Sequence, residues 1–175
     1  MNIFPTKDVI VCFFLHHSYD CNPIPAKAQK IPVIYCQQMK IDAVTVISSS
    51  IILNSKKQIL LLQRSTKSSY PNYWQLVEGK IEKNESPESS LIREIREEIG
   101  VGVSDLKLDS VFYNEIEAKG LKYLCFRIVF KTDTHPKNIE LSDEHIAFDW
   151  FNRDSIKKLP LLPGTENILK KFKFL

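Results

Sequence analysis

Residues 86–100, Ser86-Pro-Glu-Ser-Ser-Leu-Ile-Arg-Glu-Ile-Arg-Glu-Glu-Ile-Gly100, leave the backbone little choice. Ser86 is suited to cap a first turn, Pro87 fits the N1 position, and Glu88 complements the positive end of the helix dipole. Gly100 stands where a helix closes in the left-handed conformation. Between these punctuation marks Leu91, Ile95 and Ile99 recur every four residues, an apolar stripe that docks a helix on a core. One amphipathic helix is therefore predicted. Beside its stripe, Glu94, Glu97 and Glu98 lie three and four residues apart and share a face, with Cβ atoms roughly 5–6 Å from one another. Like charges so placed destabilise a helix. Two readings are open: a solvated acidic face, or the edge of a site whose cation neutralises the acids. Arg93 reaches Glu97 at i+4 and leaves the other acids free. Oxygen ligands of this kind favour Mg²⁺ or Mn²⁺ over zinc.

The longer run from Gly79 to Val101 resembles the signature of the Nudix hydrolases: glycine, five residues, Glu, seven residues, then Arg-Glu-aliphatic-any-Glu-Glu-any-Gly-aliphatic. Gly79, Glu85, Arg93, Glu94, Ile95, Glu97, Glu98, Gly100 and Val101 fill every fixed position. The resemblance implies an α/β fold, an α/β/α sandwich around a mixed central sheet. It also implies cleavage of a phosphoric anhydride in a nucleoside diphosphate linked to another moiety. On the same footing Glu94, Glu97 and Glu98 hold Mg²⁺ (or Mn²⁺), and one acid takes a proton from the attacking water. Glu85 supplies a metal contact or a bond to Arg93, and Gly79 lets the loop backbone approach the substrate. The family often shows proline and two glycines at the loop entrance, where this chain has Val77, Glu78 and Gly79. Glu78 is expected to offer its backbone oxygen to the metal, and its side chain has no assigned role. MutT-like relatives often supply one more metal-binding or base carboxylate from the region of Glu140, Asp143 and Glu144. Glu144 is the choice here, against the alternative of a solvated acidic loop.

The flanks agree with such a domain. Ala43 to Ser50 and Ile59 to Leu62 read as strands joined in a hairpin by the turn Asn54-Ser-Lys-Lys. Tyr73 to Val77 leads into the loop. Leu108 to Glu115 and Leu121 to Lys131 read as strands meeting at Lys119-Gly120, and His145 to Phe151 as another. Arg153 to Leu159 and Thr165 to Lys173 read as helices around a Pro160–Gly164 turn. Strands on both sides of the chemistry-bearing helix make one α/β domain.

That domain is expected over 39–175. The first 38 residues differ: they hold three of the four cysteines and four of the nine prolines, with no glycine or arginine. They are either a stretch upstream of a natural start at Met39, without settled structure, or an arm that packs on the domain with Val9 to Leu15 as a strand. Neither a secretory signal nor a mitochondrial presequence fits them. Cys12, His16, His17 and Cys21 match no zinc spacing. The four cysteines form no disulfide framework, so a reducing cytoplasm is the expected compartment. No apolar run reaches the length of a membrane span. A net charge of +3, dispersed along the chain, argues against nucleic-acid binding beyond a capped RNA end.

For substrate contacts Arg64, at the end of a strand, is a phosphate ligand or a surface ion pair. Trp74, with Tyr70 and Tyr73 near it, stacks a base or packs in the core. Phe112 and Tyr113 are further candidates for the pocket wall. Compared with family subgroups, the proline of ADP-ribose types is replaced by Ile116 or Glu117. Tyr113 and Tyr123 are off the position of the diadenosine-polyphosphate tyrosine. The resemblance therefore leans toward a nucleoside triphosphate, standard or damaged, cleaved to monophosphate and pyrophosphate. Dinucleoside polyphosphates, nucleotide sugars and capped RNA are alternatives, as is a non-catalytic nucleotide-binding or interaction module. A monomer and a homodimer are both open.

Overall fold

A computed structural model describes residues 41–118 and 120–175; the readings made for residues 1–38 fall outside them. The described elements are β1 (Ala43–Ile52), β2 (Ile59–Arg64), β3 (Trp74–Gln75), β4 (Glu78–Lys80), α1 (Pro87–Ile99), β5 (Lys107–Ala118), β6 (Leu121–Thr132), β7 (His145–Phe151), α2 (Arg153–Ile156) and α3 (Thr165–Lys171). A four-stranded mixed sheet has the order β4-β1-β6-β5, with β1 and β6 parallel. An antiparallel three-stranded sheet has the order β3-β2-β7.

Strand alternation divides the apolar residues into two cores. Ile51, Ile59, Leu61, Leu76 and Val129 pack with Ile156 of α2 and Ile168 and Leu169 of α3. Their chain neighbours Ile52, Leu60, Leu62, Val77 and Phe130 face the other way, onto Leu91, Ile95 and Ile99 of α1. Each sheet face is thus closed by helix, which is the α/β/α sandwich. Full burial of Leu91, Ile95 and Ile99 stabilises the docked helix by about 1.5–3 kcal/mol apiece.

The predicted hairpin of β1 and β2 is corrected. The turn itself forms, closed by Lys57 N–H donating to the Asn54 carbonyl at 2.9 Å, and a bridge joins Leu53 to Ile59. Beyond that bridge the strands part into different sheets. Both edges of β1 are occupied, by β4 and β6, so β2 finds its partners in β3 and β7. The β5–β6 hairpin and β7 stand where they were read. The last two helices are shorter than predicted: Leu159 before Pro160 is turned out of α2, and α3 stops at Lys171, before Lys173 takes φ 60°. The Pro160–Gly164 segment is more than a turn: Trp74 N–H donates to the Pro160 carbonyl at 2.8 Å and Leu162 N–H to the Trp74 carbonyl at 2.9 Å. Among the described residues no helix is long and apolar enough to cross a membrane.

Candidate active site

Helix α1 presents the acids because both its ends are held. Ser86 Oγ accepts from the Ser89 N–H at 3.1 Å, the Ser86 N–H donates in return to Ser89 Oγ at 2.9 Å, and Gly100 closes the helix at φ 71°. With the apolar stripe fixed inward, Glu98 is buried, Glu94 half-buried, and Glu97 exposed. The chain after β6 returns across the end of the helix. Glu140 N–H donates to the Ile99 carbonyl and Ser142 N–H to the Glu98 carbonyl, while the Glu144 carbonyl accepts from the Ser65 N–H at 2.8 Å. This brings Glu144 to the cavity that the helix acids line. Asp143 lies on the shallower depression next door, and Glu140 packs on Gly100.

The cavity measures about 520 Å³, and Glu94, Glu97, Glu98, Glu144, Arg64 and Tyr70 are among the residues that line it. Arg93 organises the acids at its rim. Its Nε and Nη2 donate to Glu85 at 2.8 and 3.0 Å, and its Nη1 donates to Glu94 at 2.7 Å and to Glu97 at 3.0 Å. The Arg93 bond holds the Glu85 carboxyl down at about 2. Of the two roles open to Glu85, this bond is the one seen. Glu94 is pushed up from the usual carboxylate range, first by burial, against the pull of Arg93. Glu98 is pushed well up, by burial and then by the neighbouring charges of Glu94 and Glu78. Its carboxylate accepts one hydrogen bond, from the Glu78 N–H at 3.2 Å, and lies 3.6 Å from His145 Nε2. Burial and Arg64 hold His145 down at about 4, so its ring is neutral at physiological pH.

Could these residues hold a divalent cation? Among the described residues no group of three is already drawn together as ligands, and Arg93 holds an oxygen of Glu94 and of Glu97. The donor set nonetheless fits. It is all oxygen, two of its acids are crowded and desolvated enough to resist ionisation, and a cation relieves that crowding. Gly79 shows how closely the loop must approach: a Cβ there would overlap the Glu94 carboxylate.

Not every predicted contact faces the cavity. Trp74 is corrected: it sits edge-on to Phe151, ring centroids 4.8 Å apart, within the core that supports the loop. Backbone bonds to Pro160 and Leu162 leave its ring directed inward, and Tyr70 is the aromatic at the cavity. Phe112 packs on the same core and Tyr113 is exposed. Arg64 does line the cavity, held by Ser69 O at 2.6 Å and Gln75 Oε1 at 2.5 Å. The Glu78 side chain is buried against Arg127, with Nε to Oε2 at 3.2 Å, and Ser49 Oγ donates to the same oxygen at 2.7 Å. Only its backbone oxygen therefore stays available as a ligand.

Sequence reading passed over Arg127, Ser49, Gln75 and His145. Arg127 did carry a signal. It stands between Cys125 and Val129 on the inward phase of β6, where a charged residue is buried and needs a partner. The other three are polar residues whose role depends on which distant strand they meet.

The NUDIX domain profile matches residues 45–172. The chain belongs to the Nudix family of hydrolases. It is 37% identical over 62 residues to an 8-oxo-dGTP diphosphatase of Proteus vulgaris, a match spanning 35% of this chain and 55% of that enzyme. With a CTP pyrophosphohydrolase of Escherichia coli it shares 28% identity over 124 residues, 69% of this chain and 86% of that one. The MutT protein from Methanosarcina mazei superposes with a TM-score of 0.62 at 27% identity, covering 75% of this chain and 94% of the other. The Methanosarcina protein shares the fold described above, and family membership places this chain among the hydrolases.

Proposed function

We propose that this protein is a Mg²⁺-dependent pyrophosphohydrolase that cleaves a nucleoside triphosphate, standard or damaged, to the monophosphate and pyrophosphate. The observation that carries the reading is the convergence of Glu94, Glu97, Glu98 and Glu144 on one cavity that also holds Arg64. A triphosphate presents the matching need: a divalent cation for its charged oxygens and an arginine for a phosphate that the metal does not reach. The 8-oxo-dGTP and CTP activities named for two relatives point to the same substrate class.

In this reading Glu94, Glu97 and Glu98 hold the cation, with the Glu78 backbone oxygen beside them. A bound divalent ion withdraws charge from phosphate oxygens and lowers the pKa of water. The protein's own residues do the rest. Arg93 orients Glu94 and Glu97 and is itself anchored by Glu85. Gly79 keeps the loop close, Arg64 binds a phosphate, and Glu144 accepts the proton of the attacking water.

A nucleotide panel decides it. Magnesium-dependent release of pyrophosphate from one or more triphosphates is expected, with Glu97→Gln and Glu98→Gln as controls. Dinucleoside polyphosphates, nucleotide sugars and 5′-capped RNA belong in the same panel, and turnover confined to one of them would replace the triphosphate assignment. Unchanged activity in both variants would remove these acids from the metal site. A chain lacking residues 1–38 is expected to keep full activity, which assigns catalysis to 39–175.

A further inference from the structure

We infer that the buried Glu78–Arg127 ion pair is a positioning device for the metal-binding acids, built into the loop entrance. The inference rests on the reading of Glu94 and Glu98 as cation ligands.

Three observations support it. The first is topological. Glu78 lies on β4, a three-residue edge strand whose backbone pairs only with β1. Arg127 lies on β6, on the far side of β1. The Glu78 side chain therefore passes over β1, taking a bond from Ser49 on the way, and ties the edge strand to the centre of the sheet. Glycine at that position could make no such tie.

The second is energetic. Both side chains are almost wholly buried, 4% and 3% exposed. The contacts between them are long, 3.2–3.4 Å, and the shorter bonds are to neutral neighbours: Asn114 Oδ1 at 2.7 Å for Arg127 and Ser49 Oγ at 2.7 Å for Glu78. A buried pair of such geometry is a poor way to gain stability, because desolvation consumes most of its Coulomb energy and apolar residues serve as well. Space has also been cleared for it, since a Cβ on Gly164 would strike the Arg127 guanidinium.

The third is what the tie holds still. The Glu78 N–H is the hydrogen-bond donor that reaches the Glu98 carboxylate among the described residues. The next residue, Gly79, is the surface on which Glu94 rests. Motion of β4 would thus displace both acids at once. The Glu78 and Arg127 side chains are positioning groups, acting on the cation through Glu94, Glu98 and the Glu78 backbone without touching it themselves.

The test pairs metal binding with catalysis in the full chain. Mn²⁺ affinity is measured by the electron paramagnetic resonance signal of the free ion, for the wild type, Glu78→Ala/Arg127→Met and Arg127→Lys. The double variant removes both charges together, so no lone buried ion is left to unfold it. Its Mn²⁺ affinity is expected to fall about tenfold, in the 10–100-fold range typical of residues that orient metal ligands. Its kcat should fall similarly, with KM within threefold. Arg127→Lys keeps the charge and should recover part of both. If the double variant is unfolded by circular dichroism, Ser49→Ala, which removes one bond to Glu78, is expected to weaken Mn²⁺ binding two- to threefold. A folded double variant that binds Mn²⁺ like the wild type overturns the inference, as does a change confined to KM, or a Ser49→Ala protein of unaltered affinity where that variant has to stand in. Loss of Mn²⁺ binding without any triphosphate hydrolysis by the wild type would leave the positioning role intact and refute the substrate assignment instead.

Discussion

Arg93 and Glu98 stand on one helix, five residues apart, and their surroundings are opposite. Arg93 faces outward and is over-supplied: Glu85, Glu94 and Glu97 all bond to it. Glu98 faces inward and is starved, with one N–H donor, a neutral imidazole and the charges of Glu94, Glu78 and Glu144 around it. The outer half of the acid cluster is neutralised by the chain itself. The inner half is left with negative charge that a proton or a cation from solution relieves, and that asymmetry favours a binding site over a solvated acidic face.

The sharpest way to break this comparison is Glu98→Gln. Activity should fall by about 10²–10⁴-fold, the range for a residue acting directly in the chemistry. Stability should move the other way. The folded-state pKa of Glu98 is raised, so its contribution favours folding at low pH and is lost as pH rises through the raised value. At pH 7 with a chelator, well above the ordinary carboxylate range, the buried acid opposes folding, and Gln removes the opposition. A higher Tm for Glu98→Gln in EDTA, and a smaller Tm gain on adding Mg²⁺, are the expected calorimetric results. A lower Tm in EDTA would mean that Glu98 is satisfied without metal.

Arg93→Ala tests the other half. Releasing Glu85, Glu94 and Glu97 together should reduce kcat about 10–100-fold, the usual effect of losing an orienting partner. It should also lower Tm, whereas Glu98→Gln raises it; steady-state kinetics with calorimetry separates the two. Ser86→Ala is the control. It should cost about 1 kcal/mol as a lost N-cap, seen in urea unfolding, and leave kcat unchanged because both halves ride on the same helix.

The smallest effect is in acid. His145 is held at about 4, below its ordinary 6.5, so the unfolded chain binds the extra proton and stability falls as pH drops from about 6.5 through 4. Glu85, lowered from 4.5 to about 2, adds a second stage: stability present above 4.5 is lost as pH falls toward 2. Urea midpoints from pH 7 to 2.5 should show both stages, and Glu85→Gln should flatten only the lower one.

Much of this site was legible in the chain because it is local. The caps of α1, its apolar stripe and the bond from Arg93 to Glu97 all fall within fifteen residues, where helix geometry alone sets who meets whom. Glu144 was reachable by family resemblance, and β5, β6 and β7 by alternation and turns. Apart from the ends of the last two helices, the errors were of long range. β1 and β2 look like a hairpin because their turn is sound, and nothing near them announces that β6 and β4 will occupy both edges of β1. Trp74 carries the same indole whether it faces a base or Phe151. Which it faces depends on Pro160 and Leu162, some ninety residues on.

The acid array, the helix that carries it and the metal chemistry it suits were determined by the sequence itself, since residues at i, i+3 and i+4 share a face wherever the helix is placed. Tertiary structure decided which of those acids is buried and unpaid. It also gave Glu78 a partner two strands away, turning an unexplained acid at the loop entrance into the tie that holds the loop. Burial and strand order are properties of the assembled sheets, and charges respond to the solvent and partners around them rather than to their spacing along a chain.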